Sequence, residues 1–214
     1  MPPATKQPKE AKPFAIEELK EPKLLLGEGL EEQRFFSKLL ESMPLGGIQV
    51  GQFAGNRKLR EFLRALKNWP QFGRLQAIAI TRDAETDANA AFQSVQDALR
   101  NAGLPFPAQP GAFAAGPPRV GVLIIPPNQP NGMLEDLCLA SVRSDPAMIC
   151  VEEYMKCVEE KAKRQPGNPA KAKVHAWLAS QVDPDKRLGE AAQAGYWRMG
   201  DSVFDSVRQF LRGL

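Results

Sequence analysis

The sequence predicts an α/β protein with a mainly parallel sheet flanked by helices and a helical C-terminal extension. Short continuous apolar runs at residues 24–26, 75–80 and 120–125 are typical of strands that are buried on both faces. Segments with apolar residues at helical spacing follow these runs, and such an alternation indicates parallel strands joined by right-handed crossovers. From about residue 134 the pattern is helical to the end of the chain.

The elements follow in order from these patterns. The first strand is predicted near 23–27 and the helix after it near 30–42, where Phe35, Phe36, Leu39 and Leu40 recur at helical spacing. The remaining strands are predicted near 47–53, 75–82 and 119–125, and the remaining helices near 56–68, 86–102, 134–142, 147–164, 168–181 and 203–213. Residues 103–118 carry five prolines among glycine and alanine, which indicates a loop or a hairpin insertion.

With 214 residues, the chain can form one α/β domain with a helical extension. Residues 1–22 are rich in proline and lysine, which predicts a flexible tail. We expect residues 23–145 to form the α/β core and residues 146–214 to form a helical extension packed on that core. The first residues do not resemble a signal peptide, and no apolar stretch is long enough to span a membrane. We therefore expect a cytoplasmic protein that has no contact with membranes.

Cysteine and histidine chemistry is not favoured by the sequence. Cys138, Cys150 and Cys157 lack metal-ligand spacing, so reduced thiols are expected and a zinc site is not. The single histidine, His175, lies in a segment with an ordinary helical pattern, where a structural or surface role is favoured over catalysis. A serine-histidine-aspartate triad would depend on that one imidazole, and we set it aside.

The charge distribution is more informative than the net charge of +3. Two basic stretches meet the requirement of a phosphate-binding surface, although solvated helix faces have the same composition. The first comprises Arg57, Lys58, Arg60, Arg64 and Lys67, and the second Lys156, Lys161, Lys163, Arg164, Lys171 and Lys173.

Acidic residues follow three of the predicted strands. Glu28 lies between Gly27 and Gly29 after the first strand, Asp83 and Glu85 end the third, and Glu135 and Asp136 follow the fourth. Taken alone, Glu28 is better explained as a solvated turn residue. Because ligands of open parallel sheets bind at the carboxyl ends of the strands, and neighbouring strands lie about 4.8 Å apart, we expect these acids to converge.

Convergent carboxylates repel each other, and a hard divalent cation relieves that repulsion. Oxygen ligands without cysteine or histidine favour Mg²⁺ or Mn²⁺, which keep bound waters and bind phosphates. The chemistry predicted is phosphoryl transfer or phosphodiester hydrolysis.

The motifs Gly27-Glu28-Gly29, Arg82-Asp83-Ala84-Glu85 and Gly132-Met133-Leu134-Glu135-Asp136 resemble those of the TOPRIM domain of topoisomerases, primases and OLD-family nucleases. More closely, the chain resembles the uncharacterised stand-alone bacterial TOPRIM proteins related to the OLD nucleases, from about residue 23 to its C-terminus. Two positions depart from the family pattern. Gly27 replaces the usual small apolar residue, and Glu85 replaces the commoner aspartate.

The resemblance implies roles for individual residues. By this resemblance, Glu28 corresponds to a metal ligand or general acid/base, and Asp83 and Glu85 correspond to a pair of acids that bind metal. Additional metal ligands are Glu32, Glu135 and Asp136. Lys173 and Lys171 are candidates for a catalytic cation, although their helix could equally present both to water. The implied nucleic-acid contacts are Arg57, Lys58, Arg82 and Lys171; Lys58 follows Gly55-Asn56, which resembles a Gly-Lys turn of the relatives, but such a turn is common before any basic helix.

The resulting hypothesis is a Mg²⁺-dependent (or Mn²⁺-dependent) TOPRIM nuclease that hydrolyses DNA. The resemblance further suggests phage defence with an ABC-type or AAA-type ATPase partner, and it allows for a homodimer. The alternative is a non-catalytic TOPRIM-like module that binds nucleic acid or a partner. A phosphatase of the haloacid dehalogenase type is disfavoured, because its Asp-x-Asp motif follows the first strand, whereas Asp83-Ala84-Glu85 follows the third.

Overall fold

The computed structural model describes residues 18–214 and confirms the α/β class, with a mainly parallel sheet flanked by helices. The sheet has five strands, namely β1 (Lys23–Gly27), β2 (Ile48–Gln52), β3 (Ala77–Asp83), β4 (Phe113–Ala114) and β5 (Arg119–Ile125). Most of the predicted tail, residues 1–17, lies outside the described residues. Residues 18–22, which were also assigned to the tail, pack on the body, because the side chain of Leu19 is buried and its N–H donates to Gln71 Oε1 at 2.8 Å.

The helices are α1 (Leu30–Glu41), α2 (Leu59–Lys67), α3 (Ala88–Asn101), α4 (Leu134–Ser141), α5 (Ala147–Ala162), α6 (Pro169–Leu178), α7 (Leu188–Gln193) and α8 (Asp205–Arg212). All of the helices except α7 lie close to predicted positions. The segment before α2 forms a 3₁₀ turn at Asn56–Lys58. Among the described residues, none of the helices combines the length and the apolar character that crossing a lipid bilayer requires.

The strand order is β2-β1-β3-β5-β4. β1 pairs in parallel with β2 and β3, and β3 pairs in parallel with β5, so their carboxyl ends share one edge. Asp83, the last residue of β3, lies opposite Ile125, the last residue of β5. From β1 the chain runs first to β2 on one side and later to β3 on the other, which creates a switch point between β1 and β3, where ligands of such sheets bind.

Helices cover both faces of the sheet. Because alternate side chains of a strand point to opposite faces, Leu24 and Leu26 pack with α2 and α3, while Leu25 packs with α1 and the C-terminal helices. Burial of the strands on both sides explains why they read as continuous apolar runs.

The C-terminal helices share the core of the sheet. Trp177 of α6 stacks on Trp197 with ring centroids 4.8 Å apart, and Phe204 lies against Phe35 of α1 at 5.5 Å. The short helix α7, which the sequence patterns did not predict, packs tightly on α1. A Cβ added at Gly189 would lie 2.7 Å from the backbone oxygen of Glu31.

The proline-rich insertion forms a short antiparallel pairing between β4 and β5, as the hairpin alternative predicted. Phe113 of β4 lies opposite Gly121 of β5, where an added Cβ would lie 2.4 Å from the Phe113 ring. The ring stacks on Phe210 of α8 with centroids 4.9 Å apart. This arrangement places the insertion and α8 side by side at the β5 edge of the sheet.

Candidate functional site

The three acidic segments predicted from the sequence follow β1, β3 and β5, which are neighbours in the middle of the sheet. Glu28 comes directly after β1, Asp83 ends β3, and Glu135 lies in the first turn of α4, the helix that follows β5. Asp83 interacts electrostatically with Glu28, Glu32 and Glu135, and Glu32 interacts also with Glu28 and Glu135. The structure therefore brings these four carboxylates together at the edge of the sheet where the parallel strands end, the carboxyl edge. We call the four residues the acidic cluster.

Asp83 lies at the centre of the group. Burial, followed by repulsion from Glu135, Glu32 and Glu28, raises the pKa of Asp83 well above its ordinary value of 3.8. A hydrogen bond from the backbone N–H of Leu134 to Asp83 Oδ1, 3.0 Å long, opposes this rise. The carboxylate thus lies at the N-terminus of α4, where the helix dipole favours negative charge.

Glu28 occupies the turn between β1 and α1. Its pKa is raised by burial first and then by repulsion from Glu32, whereas Arg82 and a hydrogen bond with the backbone of Asn56 lower it. Its backbone oxygen accepts a hydrogen bond from the N–H of Gly55 at 2.9 Å. These contacts tie the turn after β1 to the turn after β2.

Glu32 caps the helix on which it lies. Its Oε2 accepts a hydrogen bond from the N–H of Gly29 at 2.8 Å, which satisfies an N–H at the start of α1. Gly27 makes room for this arrangement, since a Cβ at position 27 would lie 2.7 Å from Glu32 Cβ. The glycine at position 27 therefore has a local steric reason.

Glu85 is exposed and has a left-handed backbone conformation with φ of 52°. Its backbone N–H and C=O pair with Gly132 through two hydrogen bonds of 2.8 Å, which join the end of β3 to the segment before α4. Its side-chain Oε1 accepts a hydrogen bond from Asn56 Nδ2 at 2.8 Å. The carboxylate lies near enough to Glu28 to raise the pKa of that residue.

Glu135 and Asp136 point in different directions at the start of α4. The pKa of Glu135 is raised by burial, and the Lys171 ammonium, 3.9 Å away, is among the groups that lower it. Asp136 is exposed and caps α4, because its Oδ2 accepts a hydrogen bond from the N–H of Met133 at 2.8 Å. Of this pair, Glu135 is the one that faces the other acids.

Of the five predicted cationic residues, two lie beside the carboxylates of the site, and the other three pair with other groups or are exposed. Arg82 and Lys171 lie beside the carboxylates, Arg82 near Glu28 and Lys171 near Glu135. Lys173 instead forms an ion pair with Glu152 of α5 at 2.7 Å.

Arg57 and Lys58 are exposed in the 3₁₀ turn after β2, where Lys58 pairs with Glu61 at 3.2 Å. These two side chains lie at the carboxyl end of β2, next to β1 in the sheet.

Asn56 belongs to the site although the sequence interpretation gave it no role. It contacts both Glu28 and Glu85, and its own Oδ1 is buried and has no hydrogen-bond partner within residues 18–214. The same holds for Arg82 Nε. The only signal that the sequence offered for Asn56 was its position after β2, at the same edge of the sheet as the acids.

The donor chemistry of this group fits a hard divalent cation, because the facing side chains offer carboxylate oxygens and the buried thiol of Cys138 has a pKa raised well above 9.0 by burial. The side chains do not form a closed cage. Within the described chain, no three acidic, histidine or cysteine side chains are arranged to hold one ion. Glu32, Asp83, Glu85 and Asp136 each use an oxygen in a hydrogen bond. Such a site suits a cation that keeps several waters.

Comparison with known proteins gives one match. A family described as "Protein of unknown function (DUF3226)" matches residues 22–214. No curated protein and no solved structure matches the chain.

Proposed function

This chain belongs to that family of unknown function, DUF3226, and we propose that it is a TOPRIM-type nuclease, related to the OLD nucleases, that hydrolyses DNA with Mg²⁺ or Mn²⁺. One observation carries the proposal. Asp83 is held at the switch-point edge of the sheet among Glu28, Glu32 and Glu135, so that its charged form is strongly disfavoured without a cation.

A purely structural role does not account for this arrangement. A carboxylate that caps a helix from the surface stabilises a protein, but one that is desolvated among other carboxylates lowers its stability. An asparagine at position 83 would accept the same hydrogen bond from Leu134 without the repulsion. Carboxylates with perturbed pKa values are typical of functional sites.

The chain's own residues define what the site would do. Glu28, Asp83 and Glu135 would contact the cation or its bound waters, with Glu32 in support, and Glu85 and Asp136 lie at the periphery. When bound, the cation lowers the pKa of water and stabilises charge on the leaving oxygen.

Positive charge for the phosphate comes from the two cations beside the acids. Lys171 lies near Glu135 and Arg82 near Glu28, so both are placed to contact a phosphodiester bound at the carboxyl edge. We assign the transition-state cation to Lys171, because its ammonium lies beside Glu135, whereas Lys173 is paired with Glu152 of α5. Arg57 and Lys58 would contact the DNA backbone further along.

Cleavage of supercoiled plasmid by the full chain tests the proposal. We expect nicking with Mg²⁺ or Mn²⁺ and none with EDTA, and a loss of at least about a hundredfold in Glu28→Gln and Asp83→Asn. Glu153→Gln removes an exposed acid of α5 and serves as the matched control. Equal cleavage by all of these variants would overturn the assignment.

The second candidate is a non-catalytic TOPRIM-like module that binds nucleic acid or a partner. It is favoured because, within residues 18–214, no three acidic, histidine or cysteine side chains are arranged to hold one metal ion. Calorimetry at millimolar metal separates the two candidates. A nuclease binds Mg²⁺ or Mn²⁺ and loses that binding in Asp83→Asn, whereas a module that binds no metal gives no heat with either protein.

The resemblance to the OLD nucleases extends the proposal to phage defence with an ABC-type or AAA-type ATPase, and to assembly as a homodimer. Co-expression with an ATPase partner that stimulates nicking would support the first extension, and sedimentation of the purified chain tests the second.

A further inference from the structure

A second feature of the molecule is a cavity of about 700 Å³ at the β5 edge of the sheet. It lies between the segment before β4, the loop after β5, the start of α3 and one face of α8. Its volume is within the range of about 300–1,000 Å³ found for small-molecule sites. None of the acids described above lines it.

The chemistry of the lining is unusual for a surface cavity in a charged protein. No ionisable side chain occurs among the described residues that line it. The polar side chains are five carboxamides and one hydroxyl, from Asn89, Gln109, Asn128, Gln129, Gln209 and Ser206. Within residues 18–214 none of these six side chains has a hydrogen-bond partner, so their donors and acceptors are available to a ligand.

The deeper part of the cavity is apolar. Buried Leu123, Ile124 and Pro126 of the β5 end and buried Phe210 of α8 contribute to the lining. A matching ligand is uncharged, has apolar faces and carries both donors and acceptors at its edges. Carboxamides recognise the edges of nucleobases, for example by paired hydrogen bonds to adenine.

The position of the cavity relates it to the acidic cluster. Ile124 and Pro126 line the cavity, while Ile125 between them lies opposite Asp83. The loop that continues from Pro126 reaches Gly132, which is paired with Glu85. The N–H of Ala88, at the start of α3, donates to Pro130 of this loop at 2.8 Å. One loop therefore forms a wall of the cavity and leads to the acids.

We propose that this cavity binds an unpaired nucleobase of the strand whose phosphodiester lies at the acidic cluster, an inference that rests on the proposed function. Enzymes that act on nucleic acid read extruded or single-stranded bases by hydrogen bonds to their edges and by apolar contact with their faces. The cavity then selects DNA with an unpaired base beside the cleaved bond.

Free nucleosides test the inference without involving the acids, because they lack phosphate. In EDTA, saturation-transfer NMR should detect saturable binding of adenosine, cytidine, guanosine or thymidine to the full chain. Gln209→Trp, which fills the cavity from α8, should weaken that binding at least about tenfold. Gln193→Trp places the same side chain at an exposed position of α7 outside the cavity and should leave binding unchanged.

Asn89→Leu provides a second variant if Gln209→Trp fails to fold, since it removes a carboxamide with little change in volume. The inference is overturned if no nucleoside binds, or if both variants bind nucleosides as the wild type does. Binding of glucose or maltose in place of nucleosides would reassign the cavity to carbohydrate.

The outcome is separable from that of the proposed function. Nucleoside binding in EDTA without metal-dependent nicking would retain the cavity as a nucleobase site and overturn the nuclease proposal. Nicking without nucleoside binding would retain the nuclease proposal and overturn the nucleobase site. If the protein both nicks DNA and binds nucleosides, Gln209→Trp should raise the KM for single-stranded oligonucleotide about tenfold and leave kcat unchanged.

Discussion

Asn56 Nδ2 donates a hydrogen bond to Glu85 Oε1 at 2.8 Å, which links the turn after β2 to the acid after β3. The backbone of the same asparagine is hydrogen-bonded to Glu28. One residue therefore fixes the relative positions of acids that come from two different strands. Its buried Oδ1 has no partner within residues 18–214 and is available to a water of the site.

Replacement of Asn56 by alanine should impair the site more than the fold. Alanine keeps the backbone contact with Glu28 but removes the side-chain amide that holds Glu85, so we expect the metal concentration for half-maximal nicking to rise about tenfold. Asn68→Ala is the matched control, since it also removes an amide hydrogen bond, from Nδ2 to Arg64 O at 3.0 Å. An equal metal requirement in both variants would show that Asn56 has no positioning role.

Asp83→Asn should stabilise the metal-free protein at neutral pH. The pKa of Asp83 in the folded state lies well above its ordinary 3.8, mainly because of burial, so the folded protein binds this proton more tightly than the unfolded chain. The free energy of unfolding therefore falls as pH rises from about 4 through the raised pKa. Asparagine does not titrate and so avoids this loss. We expect the free energy of unfolding, measured by urea denaturation, to increase by on the order of 1 kcal/mol.

Divalent metal provides the control for this prediction. Mg²⁺ should raise the stability of the wild type, because a ligand that binds only the folded state stabilises it, and it should not affect Asp83→Asn. A variant that is less stable than the wild type in EDTA at pH 8 would indicate that the charge of Asp83 supports the fold.

The positions of Asp83 and Glu28 could be predicted because each follows a run of apolar residues that forms a buried strand, and parallel strands end at one edge. The role of Asn56 could not, because Gly-Asn is an ordinary turn sequence and its partner Glu85 lies 29 residues away along the chain. Helix α7 was missed because six residues contain too little periodicity to be recognised.

The choice between Lys171 and Lys173 also lay beyond the sequence. Both residues belong to α6, and the rotation of that helix about its axis decides which ammonium faces the acids. Burial of Val174, Trp177 and Leu178 in the shared core sets this rotation. That information resides in the packing of distant segments, which a local pattern does not contain.

Gly27→Ala should destabilise the protein. The new Cβ would lie 2.7 Å from Glu32 Cβ, which is too close for any two side chains, so α1 or the end of β1 has to move. We expect a loss of about 1–3 kcal/mol in the free energy of unfolding. Gly73→Ala is the matched control, because a Cβ there meets nothing within 4 Å. Equal stability of the two variants would mean that the contact relaxes without cost.

Lys171→Ala and Lys173→Ala should differ in activity although the residues are two positions apart on α6. Lys171 Nζ lies 3.9 Å from Glu135 Oε1, beside the acidic cluster, and its loss should lower the nicking rate at least tenfold by removing positive charge near the phosphate. Lys173 pairs with Glu152 at 2.7 Å on the surface, and its loss should change stability by at most about 0.5 kcal/mol and activity little. Rates measured at saturating metal would decide between the two lysines, because a larger defect in Lys173→Ala would restore the catalytic role that the family resemblance implied for that residue.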